Sequence, residues 1–182
     1  MIRFAQDQDW QQVYDIYRYY VENSVYNLDW QPLEFEEFKK RQLDIQKDYP
    51  YLVAEEQGEI LGYACAHNAF EKASYQFDAD LTIYFKEGNH HGQVAAIMDR
   101  LEDLLKRQNI HWLIGCISKS NARSIAFHER RGFEFMGELP HAGFKNNQFH
   151  SVVWYGKVLN KEEDFIDHDL RFIPIGQLEA FE

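Results

Sequence analysis

The stretch from Asn121 to Phe133 restricts the possible fold more than any other part of the sequence. Its residues, Asn-Ala-Arg-Ser-Ile-Ala-Phe-His-Glu-Arg-Arg-Gly-Phe, predict a short helix that begins after a capping Asn and ends at Gly132. An Asn side chain satisfies free amides at a helix start, and Gly tolerates the left-handed conformation just past the last turn. Ser124 and His128 lie one turn apart and share a face. A strand is expected directly after Gly132.

Apolar spacing predicts the remaining elements. A helical period occurs in residues 7–20, 32–46 and 92–108, and Pro32 followed by Glu suits a first turn. Alternating or continuous apolar runs predict strands at residues 2–4, 51–55, 59–66, 77–85, 111–117, from 133 and 149–158. Gln57-Gly58 is expected to form a hairpin turn. The resulting order, β-α-α-β-β-β-α-β-α-β-β, predicts an α/β (α+β) fold.

Composition excludes several classes of function. A chain of 182 residues with 45% hydrophobic content suits one domain with a full-sized core. A net charge of −11 disfavours nucleic-acid binding, and no apolar stretch is long enough for a bilayer span. The N-terminus does not resemble a signal peptide. Cys65 and Cys116 lie in apolar strand-like runs, so we expect reduced core residues in a cytoplasmic protein.

The order of elements and several short motifs resemble one enzyme family. The motifs are Ile16-Tyr17 with Glu22-Asn-Ser24, Tyr49-Pro-Tyr-Leu-Val-Ala-Glu55, Gly62, Tyr75, Asp80-Leu-Thr-Ile-Tyr84, the spaced set Asn121/Ser124/His128/Gly132-Phe133, and Ala142-Gly143-Phe144-Lys145. Over residues 2–158 the chain resembles the phosphinothricin and methionine-sulfone N-acetyltransferases of the GNAT superfamily. The resemblance implies a central mixed, mostly antiparallel sheet flanked by helices, over residues 1–159. It leaves residues 160–182 as an extension of unknown role.

The resemblance implies an acetyl-CoA site at the start of the helix predicted at residues 92–108. GNAT enzymes place a Gly-rich turn there, whose amides and helix dipole hold the CoA pyrophosphate. Here the turn is one residue shorter, and Val94 stands where a second Gly or Ala is expected. The cofactor residues implied are His90 or His91 in place of the usual cation, with Gly92, Gln93, Val94, Ala95, Asn121 and Ser124. An ordinary helix start is the alternative, and no metal is expected at His90-His91.

Asp80 and His128 are the catalytic residues that the resemblance implies. Asp80 would take a proton from the acceptor amine, acting through a water because it is shorter than the family's Glu. Amides near Tyr84 and Phe85 would polarise the thioester, and a protonated His128 would neutralise the leaving thiolate. The alternatives are a solvated strand carboxylate for Asp80 and a packed helix-face residue for His128.

The implied acceptor is the primary amine of a small molecule, such as an amino acid or an amino-acid analogue. Lys72, Tyr75, Lys145 and His150 occupy plausible substrate positions, although Phe149 and Ser151 replace the family's Trp and Asp. The resemblance further implies direct, sequential transfer, since both cysteines are expected inside strands, and it implies a homodimer. A GNAT-fold binding or regulatory protein that has lost catalysis is the alternative, because the phosphate turn is altered.

Overall fold

The computed structural model describes residues 1–88, 90–165 and 170–178, apart from the side chain of His91. Within these residues, seven strands form one sheet in the order β1-β2-β3-β4-β5-β7-β6. Their bounds are β1 Ile2–Phe4, β2 Tyr51–Glu56, β3 Glu59–Asn68, β4 Asp78–Phe85, β5 Trp112–Ser118, β6 Glu134–Lys145 and β7 Gln148–Val158. The predicted mixed, mostly antiparallel sheet is confirmed.

One parallel junction interrupts the antiparallel sheet. β4 and β5 pair only from Asp78 opposite Trp112 to Asp80 opposite Ile114, whereas every other neighbouring pair in the described sheet is antiparallel. β4 continues to Phe85 and β5 continues to Ser118 without further pairing between them. The sheet therefore opens after Asp80.

The helices cover the two faces of the sheet. α1 (Trp10–Asn23) and α2 (Phe35–Asp48) bury aromatic and aliphatic residues against one face, in a cluster that includes Val13, Phe38 and Tyr63. α3 (His91–Arg107) packs its apolar stripe, which includes Leu101, against the other face, where α4 (Ala122–Arg130) also lies. The members of this stripe recur at helical spacing, so they lie on one face of α3. That face packs against the sheet, and the stripe is fully buried. None of the described helices has the length and apolar content needed to cross a bilayer.

The predicted order of strands and α-helices is confirmed, but the predicted start of α2 is wrong. Residues 32–34 are not helical, and α2 begins at Phe35 after an extended Glu34. The hydroxyl of Tyr14 donates to the main-chain oxygen of Leu33 (2.8 Å), and the Leu33 amide donates to the hydroxyl of Tyr17 (3.3 Å). These bonds from α1 hold the approach to α2 extended, so Pro32 lies outside the first turn.

Residues 170–178 pack onto the same domain. Ile175 and Leu178 belong to the core cluster beneath α3. The Gln108 side chain donates to the main-chain oxygens of Ile173 (2.8 Å) and of Asp48 (2.7 Å). The described part of the C-terminal stretch thus shares the hydrophobic core of the preceding residues.

Candidate active site

The opening between β4 and β5 forms a groove of about 640 Å³ that reaches both faces of the sheet. Alternation along the strands assigns side chains to the two faces. Asp80, Thr82 and Tyr84 lie on the face of α1 and α2, with Cys116 of β5. Leu81 points to the other face, toward α3 and α4. A ligand in this groove would therefore meet polar side chains on one face and two helix starts on the other.

Asp80 lies where the pairing of β4 and β5 ends. Burial raises the pKa of its carboxyl group above the usual range, while His67 and the amide of Leu81 act in the opposite direction. A carboxylate with a raised pKa binds a proton more readily near neutral pH, which suits a general base. The groove wall places this group beside Thr82 and Cys116.

Main-chain amides on alternate residues of β4 face the opening. The Lys86 amide donates to the Leu61 oxygen (2.8 Å) and the Ala69 amide donates to the Asp78 oxygen (3.3 Å), at the two ends of an unshifted β3–β4 ladder. Antiparallel pairing alternates, so even-numbered residues of β4 bond to β3 and odd-numbered ones face away. The Phe85 amide thus faces the groove, whereas the Tyr84 amide faces β3 and is not available to the thioester, which corrects that expectation.

The loop before α3 is built differently from the expected phosphate turn. Gly88 adopts a positive φ of 136°, a conformation that favours glycine. The His90 ring packs beside it and against Phe85 (centroids 5.9 Å apart), with Nε2 buried and unbonded in the described structure. His90 therefore does not line the groove, which corrects the expectation that its side chain takes the place of the usual cation there. The side chain of His91 lies outside the described residues.

The first turn of α3 presents amides that have no partner within the helix. The Val94 amide bonds to the His90 oxygen (2.9 Å), so the amides just before it lack a partner within the helix. A Cβ at Gly92 would meet nothing within 4 Å, and the position is exposed. Val94 lines the groove, whereas Gln93 and Ala95 do not. These features fit an anion such as a pyrophosphate at the helix start.

α4 begins with the predicted cap. Oδ1 of Asn121 accepts a hydrogen bond from the Ser124 amide (3.1 Å), and Gly132 has a φ of 82° after the helix. Asn121, Ser124 and His128 all line the groove. His128 is 3% exposed, and burial lowers the pKa of its imidazole. A neutral ring follows, in contrast to the protonated imidazole expected at this position.

Two arginines that sequence reasoning missed also line the groove. Arg123 and Arg130 belong to α4, and Nη2 of Arg123 donates to the main-chain oxygen of Gly88 (3.4 Å). Both cations stand on the α3 and α4 side, where phosphates would lie. Arg123 stands between Asn121 and Ser124 in the sequence, and this proximity could have identified it.

The four predicted substrate residues lie outside the groove. Nζ of Lys145 is 2.7 Å from the main-chain oxygens of both Val21 and Asn27, and the side chain is buried. Its ammonium is thus engaged within the protein, so the substrate role expected for Lys145 is wrong. Nε2 of His150 donates to the main-chain oxygen of Lys145 (3.0 Å). Lys72 and Tyr75 are exposed in the β3–β4 connection.

The environments of the two cysteines differ. Cys65 is buried, as expected, but Cys116 is exposed and lines the groove, so the core position expected for Cys116 is wrong. Partial desolvation within the groove and the neighbouring Asp80 raise the pKa of the Cys116 thiol to about 11. The thiolate is therefore scarce at neutral pH. Within the described residues, no group of three His, Cys, Asp or Glu side chains could hold a metal ion.

Comparisons with known proteins agree with this geometry. Residues 2–154 match the model of the acetyltransferase (GNAT) domain family. A phosphinothricin N-acetyltransferase of Streptomyces viridochromogenes is 28% identical over 155 residues, which are 85% of this chain and 85% of that protein. An L-methionine sulfoximine/L-methionine sulfone acetyltransferase of Salmonella typhimurium is 26% identical over 149 residues, 79% of this chain and 85% of that protein.

A solved structure shows the same fold. It is a GNAT superfamily phosphinothricin acetyltransferase from Sinorhizobium meliloti in complex with acetyl-CoA, with a TM-score of 0.83 and 28% identity over 88% of each chain. The family match and the named relatives support an acetyltransferase over the binding-protein alternative. The chain belongs to the GNAT family and is an N-acetyltransferase that uses acetyl-CoA.

Proposed function

We propose that the chain transfers the acetyl group of acetyl-CoA directly to the primary amine of a small molecule. The observation that carries this proposal is the groove through the sheet, with Asp80 on one face and the starts of α3 and α4 on the other. Such a passage lets a donor and an acceptor approach each other from opposite faces. The relatives named for phosphinothricin and methionine sulfoximine support a small acceptor.

The donor would lie on the face of α3 and α4. The free amides at the start of α3 would hold the pyrophosphate, and Arg123 would add a cation beside it. Asn121 and Ser124 would contact the arm that leads to the thioester. The donor supplies an activated acetyl group, and these residues orient it toward the opening between the strands.

Asp80 would act as the base on the other face. Its carboxylate takes a proton from the acceptor ammonium, directly or through a water, and the free amine then attacks the thioester carbon. The Phe85 amide faces the opening and can stabilise the negative charge on the carbonyl oxygen. Because His128 is neutral at rest, it would serve the departing thiolate only by taking up a proton during turnover.

Binding and turnover test the proposal in sequence. Calorimetry should detect acetyl-CoA binding to the purified chain. Thiol release should then be measured with a panel of amino acids, sulfones, sulfoximines and polyamines, and at least one amine should be acetylated. Acetyl-CoA binding without turnover on any amine would refute the proposed acceptor class, and failure to bind acetyl-CoA would refute the donor site.

Direct transfer, without an acyl-enzyme, is tested at Cys116. This thiol lies in the groove, but partial desolvation and Asp80 raise its pKa to about 11 and so keep it protonated near neutral pH. Cys116→Ala should therefore retain turnover, and mass spectrometry of the wild-type chain mixed with acetyl-CoA alone should show no acetylated cysteine. Loss of turnover together with a mass increase on Cys116 in the wild type would establish an acyl-enzyme.

We propose a homodimer in the cytoplasm as the working form. The edge strand β6 exposes three large apolar side chains, those of Phe135, Met136 and Leu139. Both cysteines are unpaired, which suits a reducing compartment. Sedimentation should give twice the chain mass, and Phe135→Lys should yield a monomer. Fractionation of the source cells should place the chain with the cytoplasmic proteins.

A further inference from the structure

His67 lies directly opposite Asp80 in the antiparallel pairing of β3 and β4. Residues opposite each other on neighbouring strands project their side chains on the same face, a few ångströms apart. Both side chains therefore lie on the face of α1 and α2, where the acceptor would bind. No sequence motif had indicated His67.

Among the described residues, one ring nitrogen of His67 has a hydrogen-bond partner and the other has none. Nδ1 donates to the main-chain oxygen of Asn68 (3.0 Å), since a carbonyl only accepts. This leaves Nε2 able to exchange a proton. The imidazole and the Asp80 carboxylate influence each other electrostatically, without a direct hydrogen bond in the described structure. One water between them would complete a path for a proton.

His67 also forms a wall of a second cavity, which we call the α2 cleft. This cleft has a volume of about 480 Å³ and lies between α2 and the end of β3, open to solvent. The titratable groups that face it are Glu37, Lys40, Arg41, Asp44, Asp48 and Tyr49, in addition to His67 itself. His67 thus stands between Asp80 in the groove and water in the cleft.

Acetylation of an ammonium ion releases one proton. The ammonium gives one proton to Asp80. The nitrogen loses a second proton on acylation, and this proton converts the CoA thiolate into the thiol. Asp80 must pass its proton to solvent before the next cycle. A donor and an acceptor bound in the groove would cover the groove side of Asp80. On the side of β3, Asp80 lies opposite His67, which lines the α2 cleft.

We propose that His67 carries the proton from Asp80 to solvent through the α2 cleft. Resting on the proposed function, the step moves one proton from the Asp80 carboxyl group, through a water, to Nε2 of His67. The Asp80 carboxylate is restored, and the imidazolium then loses a proton to water in the cleft. His67 is a positioning residue in this scheme, because it contacts neither donor nor acceptor.

The neighbouring thiols do not offer an equivalent path. The pKa of Cys65 is raised to about 12 by burial, and that of Cys116 is raised to about 11 by partial desolvation and by Asp80. Neither group exchanges protons readily near neutral pH. His67, in contrast, lies opposite Asp80 and lines the solvent-open α2 cleft.

Chemical rescue tests the relay. His67→Gly should lower kcat about tenfold or more, with little change in the KM for acetyl-CoA, and added imidazole should restore kcat in a saturable manner. His67→Gln, which fills more of the space but cannot relay a proton at neutral pH, should show the same loss. His141→Gln is the matched control, because His141 is exposed and lies outside both the groove and the α2 cleft, and it should keep the wild-type kcat.

Two results would overturn the relay while leaving the proposed function intact. One is a kcat for His67→Gln within twofold of wild type across the pH range. The other is a loss of kcat in His67→Gly that no concentration of imidazole restores while melting temperature and acetyl-CoA binding are unchanged. Absence of wild-type turnover with every amine would instead refute the proposed function itself, and the relay with it.

Discussion

Nδ1 of His128 donates a hydrogen bond to the main-chain oxygen of Ser124, 2.8 Å away and one helical turn earlier. A carbonyl oxygen can only accept, so the proton of the neutral ring resides on Nδ1. Nε2 is directed at β5, where a Cβ on Gly115 would lie 3.3 Å from it. A contact within one helix thus sets the tautomer of a ring in the groove wall, and a glycine leaves room for it.

The pH dependence of stability should report the buried His128. Because burial lowers its pKa, the unfolded chain binds a proton at pH values where the folded chain does not. The free energy of unfolding therefore rises with pH until the pH passes about 6.5, the pKa of the imidazole in the unfolded chain. His128→Gln should lose less stability than wild type between about pH 7.5 and pH 5.5, as measured by urea unfolding. An equal loss in both proteins would contradict a neutral buried ring.

Asp80→Asn should separate activity from stability. We expect kcat to fall about 10²- to 10⁴-fold, with acetyl-CoA binding retained. Burial raises the folded pKa of Asp80 above its unfolded value, so stability declines as the carboxyl group ionises with rising pH. The variant should consequently melt higher than wild type near neutral pH. Asp80→Glu should remain active. An unchanged kcat in Asp80→Asn would exclude Asp80 as the base.

His128→Phe should lose less kcat than Asp80→Asn.

Arg123→Gln should weaken donor binding. The arginine lines the α4 side of the groove and contacts the loop that precedes α3. We expect the Kd for acetyl-CoA to rise roughly tenfold, equivalent to about 1.4 kcal/mol, and to depend less on salt. Calorimetry at two salt concentrations measures both effects. Arg100→Gln is the control, because Arg100 lies on α3 beside Asp103 (3.7 Å) and away from the groove; equal Kd values in the two variants would contradict the assignment.

Lys145→Met should destabilise the chain without a specific effect on the acceptor. The substitution leaves two main-chain oxygens, those of Val21 and Asn27, without their charged donor. We expect a loss of about 2–4 kcal/mol of unfolding free energy, measured in urea. Lys72→Met, at an exposed position, should leave stability unchanged. If Lys145→Met unfolded like wild type while the KM for the acceptor rose, the substrate role would have to be restored.

Ile175→Ala should show that the C-terminal stretch supports the core. Ile175 is 8% exposed and packs with the residues beneath α3. Truncation of its side chain should cost about 2–4 kcal/mol. Gly176→Ala is a matched neighbour, because a Cβ there meets nothing within 4 Å. Thermal unfolding of both variants decides the matter: comparable melting temperatures would mean that the stretch contributes little.

Local signals in the sequence predicted the local structure. The capped helix after Asn121 was predictable because the bond from Asn121 to the Ser124 amide spans three residues. The apolar stripe of α3 was equally readable from its spacing. Resemblance to a family then indicated Asp80 and Asn121, which the structure brings to one groove.

Contacts between distant residues were not predictable from such signals. Lys145 reaches Val21 across 124 positions, and no pattern near either residue indicates that bond. The start of α2 depends on hydroxyl groups of α1, and the exposure of Cys116 depends on where β4 and β5 cease to pair. Each of these features is a property of the assembled sheet and helices.

The junction between β4 and β5 is the place where the sheet can bend. Only three paired positions join strands β1 to β4 with strands β5 to β7 there. Lys145 lies at the end of β6, on one side of this junction. Its ammonium donates hydrogen bonds to the main-chain oxygens of Val21 in α1 and Asn27 in the following loop, on the other side. The strands on the two sides of the opening are therefore joined by the paired residues of β4 and β5 and, separately, by the hydrogen bonds of Lys145. An acceptor at Asp80 would therefore enter an opening whose two sides are tied together by Lys145.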